Sequence, residues 1–144
     1  MGGLYPDTCV LVSLFHGDSG YAAAESWLAA ALLQQIWISH WVVLEFAQAT
    51  AARLRRGELP ATKAAALQPA FEAFRQERLA LLEPCGRDFL LARDWLQSDS
   101  VSGLRAADAL HLALAQRQGL RLVSADHALV RGAQQLGLEA MLVG

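Results

Sequence analysis

A chain of 144 residues, 54% of them hydrophobic, carries enough apolar surface to bury a sizeable core as one domain spanning 1–144, and it is too apolar to be disordered. Its net charge of −2, with twelve basic residues of which only Lys63 is a lysine, excludes a protein that coats nucleic acid without selectivity. No apolar run reaches the roughly 18 residues of a membrane span, and the first residues lack the basic start and apolar stretch of a signal peptide, so a soluble, cytoplasmic protein is expected.

Leu4-Tyr5-Pro6 reads as a short strand ending at Asp7, although Pro6 has no N–H to contribute to a ladder. An apolar stretch from Cys9 to Phe15 follows, then a turn at 16–20. Alanine-rich Tyr21–Leu33 predicts a helix. Ile36-Trp37-Ile38 is a short β-type run, and Ser39 stands where a helix N-cap belongs. The helix it opens runs from His40 to Arg56 and is closed by Gly57 at the C′ position. Arg53, Arg55 and Arg56 in its last turns suit the negative end of the helix dipole.

Pro60 fits the first turn of another helix toward Arg78, which Pro69 should kink or divide in two. Leu79–Leu82 predicts a strand, Pro84-Cys85-Gly86 a turn, and Arg87–Gln97 a helix. A polar link from Ser98 to Gly103 leads into the strongest helical stretch of the chain, Leu104 to Ala115, which Gly119 ends. Leu120–Val123 is the clearest strand, with Ser124-Ala125-Asp126 as its exit turn. His127–Leu136 predicts a helix closed by Gly137, and Glu139–Val143 a last strand. This alternation implies an α/β fold with a mainly parallel sheet of four to five strands, covered on both faces.

Ligands of such sheets bind beyond the carboxyl ends of the strands. Asp7 and Asp126 each follow a strand and belong on that edge. Glu45 lies in a helix entered directly from the second strand, and its same-face neighbours Trp41, Val42, Gln48 and Ala49 carry no charge. Asp108 shares a helix face with Leu104, Leu112, Ala115, Arg105 and His111. Each acid has an ordinary explanation: Asp7 as a turn residue, Asp126 as a helix cap assisted by Ser124, Asp108 as the ion-pair partner of Arg105. Glu45 is harder to explain that way, because the middle of a helix with uncharged neighbours is a poor place for a solvated acid. Four acids at one sheet edge repel unless cations bind, and oxygen-rich sites of this kind suit Mg²⁺ or Mn²⁺. The four histidines are scattered, and Cys9 and Cys85 have neither metal-ligand spacing nor a disulfide framework.

Four of these segments carry a family resemblance. Asp7-Thr8-Cys9-Val10-Leu11-Val12 resembles the opening motif of PIN-domain proteins, and Leu44-Glu45-Phe46 their helical glutamate motif. Ala107-Asp108-Ala109-Leu110-His111-Leu112-Ala113 is similar to the family's most recognisable signature, and Val123-Ser124-Ala125-Asp126 to its fourth acidic position. Pro6 departs from the pattern, which usually has an ordinary strand residue there, and bears on the pairing of the first strand. The size is similar to that of VapC-type toxins of type II toxin–antitoxin pairs.

The resemblance implies a PIN-like three-layer α/β/α sandwich and a metal-dependent endoribonuclease. Asp7, Glu45, Asp108 and Asp126 would hold one or two Mg²⁺ or Mn²⁺ ions. Thr8 and Ser124 would orient the ligands. Arg105 would contact RNA or neutralise Asp108. The implied partners are an RNA substrate, a small cognate antitoxin and a second copy of the chain. A phosphoryl-accepting Asp7 is disfavoured, because the lone lysine lies far from any strand end. The competing expectation is a PIN domain that binds RNA or protein without cutting.

Overall fold

Among the described residues five parallel strands form one sheet, ordered across it as Leu79–Leu82, Ile36–Ser39, Gly3–Pro6, Leu120–Ser124 and Ala140–Leu142. The computed structural model describes residues 2–99, 101 and 103–144. β1 (Gly3–Pro6) leads through α1 (Thr8–His16) and α2 (Tyr21–Ala30) to β2 (Ile36–Ser39), and α3 (His40–Arg55) and α4 (Ala61–Arg78) lead on to β3 (Leu79–Leu82). The chain then returns through α5 (Gly86–Gln97) and α6 (Ala106–Arg117) to β4 (Leu120–Ser124), and α7 (His127–Gln135) carries it to β5 (Ala140–Leu142). Right-handed crossovers place α1–α4 on one face of the sheet and α5–α7 on the other, which is the expected α/β/α sandwich. No helix among the described residues is long and apolar enough to cross a membrane.

Pro6 is accommodated in a central strand for a reason of sides. Parallel strands point alternate residues to opposite neighbours. Leu4 N–H donates to Gln35 O on the β2 side and Asp7 N–H to Val123 O on the β4 side, both at 2.9 Å. The donor that Pro6 lacks would therefore face β2, where register with β1 is confined to Leu4 opposite Ile36. On the β4 side the pairing runs unbroken from Gly3–Leu120 to Pro6–Val123.

The apolar stretch after Asp7 folds as α1, capped by the Asp7 carboxylate at the N–H of Cys9. α4 is one undivided helix of 18 residues with Pro69 inside it, so the predicted division does not occur. Pro69 removes one backbone bond, but Leu67 and Phe71 on either side of it are buried and hold both halves to the core. Phe71 stacks on Phe46 of α3 with ring centroids 4.0 Å apart, and Phe15 of α1 meets both edge-on. Burying such a ring is worth about 1.5–3 kcal/mol, comparable with the cost of the proline.

α2 ends at Ala30, short of the expected Leu33. α6 begins at Ala106, with Arg105 extended at its N-cap, so Leu104 precedes the helix instead of opening it. The link predicted from Ser98 to Gly103 includes residues 100 and 102, which lie outside the described residues. Gly57 and Gly119, predicted to stop α3 and α6, have φ of 74° and 65°, the left-handed geometry a helix exit needs and a side chain disfavours.

Candidate active site

Strand order reverses between β1 and β4, so a crevice opens beyond their carboxyl ends. A cavity of about 220 Å³ lies there, lined by Asp7, Thr8, Cys9, Glu45, Asp108, His111 and Asp126. All four acids singled out in the sequence reach it, from four different elements or their caps.

Asp7 joins β1 to α1 and is 6% exposed. Its Oδ1 accepts from Cys9 N–H at 3.1 Å and from the Cys9 thiol at 2.7 Å. Its Oδ2 accepts from Ser124 Oγ at 2.6 Å. Burial pushes the carboxyl above its usual range, against the help of these donors. The Cys9 thiol is pushed up to about 12, first by loss of water around the sulfur and then by the Asp7 charge, so it stays protonated and donates. Ser124 is fully buried and serves both ends, donating to Asp7 and accepting from Asp126 N–H at 2.9 Å.

Glu45 is held on α3 by two donors to the same oxygen, Thr8 Oγ1 and His111 Nε2, each at 2.6 Å. Burial acts to raise its pKa. The His111 hydrogen bond, the charge on a protonated His111 ring and the Thr8 hydroxyl outweigh it, and the net shift is downward. His111, 2% exposed, meets Tyr5 O–H through Nδ1 at 2.9 Å. Tyr5 in turn meets Ser39 Oγ at 2.8 Å, and Ser39 accepts from Val42 N–H at 3.2 Å.

A carboxylate only accepts, so Nε2 must carry hydrogen. In the neutral ring the chain then runs one way, from Val42 N–H to Ser39, Tyr5, His111 and Glu45. Every hydroxyl hydrogen along it has an acceptor. Burial and the surrounding acids raise the Tyr5 pKa far above its ordinary value, keeping the phenol protonated.

Asp108 is the third residue of α6 and half-buried. Burial, then Asp126 and Asp7, push its carboxyl upward; among the described residues, hydrogen-bonding help comes only from the Arg105 backbone. The expected Arg105–Asp108 ion pair is not formed: Arg105 is exposed and pairs with no acid among the described residues. Asp126 does cap α7, with Oδ1 accepting from Ala128 and Leu129 N–H at 2.9 and 3.3 Å, and it lines the cavity as well.

The donors facing the cavity are mainly carboxylate oxygens that repel one another, a set that fits a hard divalent cation. No three of them close into a ready-made cage among the described residues. Cys9, Tyr5 and Ser39 were not singled out for the site in the sequence. His111 was placed on the Asp108 face, and its spacing of three residues was the available signal.

A family model described as PIN domain matches residues 4–134. No curated protein matches the chain. Among solved structures, the chain is similar to VapBC2 from Rickettsia felis bound to a DNA fragment of its promoter, with a TM-score of 0.70, 16% identity and full coverage of both chains. It is similar to a toxin–antitoxin complex from Klebsiella pneumoniae, with a TM-score of 0.66, 19% identity and 96% of each chain covered. A third is VapC20 from Mycobacterium tuberculosis, a toxin that cleaves the sarcin–ricin loop, with a TM-score of 0.66, 20% identity, and 88% of this chain and 92% of that one covered.

Proposed function

The chain belongs to the PIN-domain family, and from that premise we propose that it is a metal-dependent endoribonuclease, the toxin of a toxin–antitoxin pair, whose Asp7, Glu45, Asp108 and Asp126 hold Mg²⁺ or Mn²⁺. One observation carries the reading. Four carboxylates, far apart in sequence, converge on a single cavity at the switch point of the sheet. Uncompensated, such a cluster weakens the fold, so its presence argues for a cationic partner. The shared fold with a toxin that cleaves the sarcin–ricin loop and with a toxin–antitoxin complex supports RNA as substrate and a small antitoxin as partner. A second copy of the chain completes the proposed assembly.

A divalent ion held by these carboxylates would supply Lewis acidity for hydrolysis of a phosphodiester. The protein's own task is placement. Ser124 and Cys9 fix both oxygens of Asp7, and Thr8 and His111 fix Glu45, so neither carboxylate has to reorganise when charge develops. Asp108 and Asp126 complete the acidic wall.

The test is cleavage of a labelled RNA by the purified chain with Mg²⁺, with Mn²⁺ and with EDTA. Cleavage that requires the metal is expected. Binding of RNA without cleavage in either metal would replace the nuclease with a binding module.

A further inference from the structure

Beside the acidic cavity lies a second groove of about 480 Å³, and Thr8, Cys9 and Glu45 line both. Along the second groove α3 contributes Glu45, Gln48, Ala49, Ala52 and Arg53, and its C-cap contributes Arg56. Their spacing of 3, 4, 7, 8 and 11 residues from Glu45 is one continuous helix face. At 1.5 Å per residue, Arg53 lies about 12 Å and Arg56 about 16 Å along the axis from Glu45. The face thus turns from acid to base over a short length of strand, with two alanines between, whose side chains end at Cβ.

The far end is positively charged on balance. Arg53 donates to Asp18 Oδ2 at 2.9 Å and lies 3.1 Å from His16 Nδ1, which fixes it in place. Arg56 engages Glu58 through Nε and Nη2, and its Nη1 meets no acceptor among the described residues. Lys63, the only lysine, donates to His16 O at 2.9 Å beside them. Three cations therefore stand against the carboxylates of Asp18 and Glu58. A polyanion entering a pocket of four acids needs such a counterweight close by, because the acids alone repel it.

We propose that this groove carries the RNA strand away from the acidic cavity, its backbone passing over Ala49 and Ala52 and a phosphate being held by Arg56 with Arg53 behind it. The proposal rests on the nuclease reading for its substrate. It adds a direction for the strand, along α3 toward its C-terminal end.

Fluorescence anisotropy of a short labelled oligouridine in EDTA, titrated over a range of salt, tests it without cleavage. Arg56→Ala should bind several-fold more weakly, and its slope of log affinity against log salt should be shallower by about 0.7, the loss of one phosphate contact to a single strand. Arg56→Lys, which keeps the charge, should retain the slope. Arg121→Ala, near the amino end of β4 and so away from the carboxyl ends of the strands, should match the parent. In Mg²⁺, Arg56→Ala should raise KM and leave kcat.

An Arg56→Ala protein with the parent's affinity and slope would overturn the proposal. So would an equal loss in Arg121→Ala, or an unmodified chain that does not bind the oligouridine. An Arg56-dependent affinity without cleavage in any metal would instead sink the nuclease reading and leave the groove standing as an RNA track.

Discussion

At the scale of single residues, Asp108 separates an acidic metal site from an ordinary helix start. Its carboxyl is raised by burial and by Asp126 and Asp7, so it costs the metal-free fold stability. Asp108→Asn should hold or raise stability in EDTA by about 1 kcal/mol near neutral pH. A raised carboxyl binds its proton before the unfolded chain does. The advantage of the variant should therefore be full above that raised value and shrink as pH falls toward the usual carboxylate range. Mg²⁺ should raise the melting temperature of the parent more than that of Asp108→Asn, and RNA cleavage should fall by orders of magnitude. Melting curves with EDTA and with Mg²⁺ check this; a destabilised variant with an unchanged metal response would contradict it. Tyr5→Phe probes the chain that orients Glu45. It removes the proton donor to His111 Nδ1 while keeping the ring, so Mn²⁺ affinity measured by calorimetry should fall about 10–100-fold. The acids were legible because strand ends and uncharged helix faces mark a carboxylate as out of place. Tyr5 and Ser39 were not, because their role lies in contacts 106 and 34 residues away that no local pattern encodes.

At the scale of elements, α5 and α6 are clamped outside the cavity by an ion pair between a buried carboxylate and a partly exposed arginine. Asp88, 2% exposed, accepts from Arg117 Nε at 2.7 Å and Nη2 at 3.0 Å, and from Cys85 N–H at 2.8 Å as part of a capping box. Burial acts to raise its pKa, and Arg117 together with the Cys85 N–H holds it below the usual range. Arg117→Leu leaves that carboxylate buried and short of its partner. About 3 kcal/mol should be lost, the low end of the usual cost, since Arg117 is itself partly exposed. A depressed carboxyl stabilises fully above the usual carboxylate range and loses its effect as pH falls through its folded value. The gap between parent and Arg117→Leu in urea midpoints should therefore close in acid. Element order was readable from alternating apolar runs and their caps. Pro69 and Pro6 resisted a local reading: the outcome at Pro69 depends on what Leu67 and Phe71 bury, and at Pro6 on which neighbour its missing donor faces.

At the scale of the molecule, the proposed second copy has a candidate face. Phe89, Leu90 and Leu96 of α5 are 55, 52 and 42% exposed, an apolar group of the kind that marks interaction surfaces. Light scattering should give about twice the 15.6 kDa of one chain, and Phe89→Asp should return it to a single chain's mass. The bond between Ser124 and Asp7 spans 117 residues, and those from His111 and Thr8 to Glu45 span 66 and 37. A ribosome making this chain releases the first acid early and the serine that fixes it near the end. Until β4 is added, β1 has an open edge and Asp7 lacks its Ser124 donor. A chain interrupted before residue 124 therefore carries at most three of the four acids and lacks the serine that fixes Asp7.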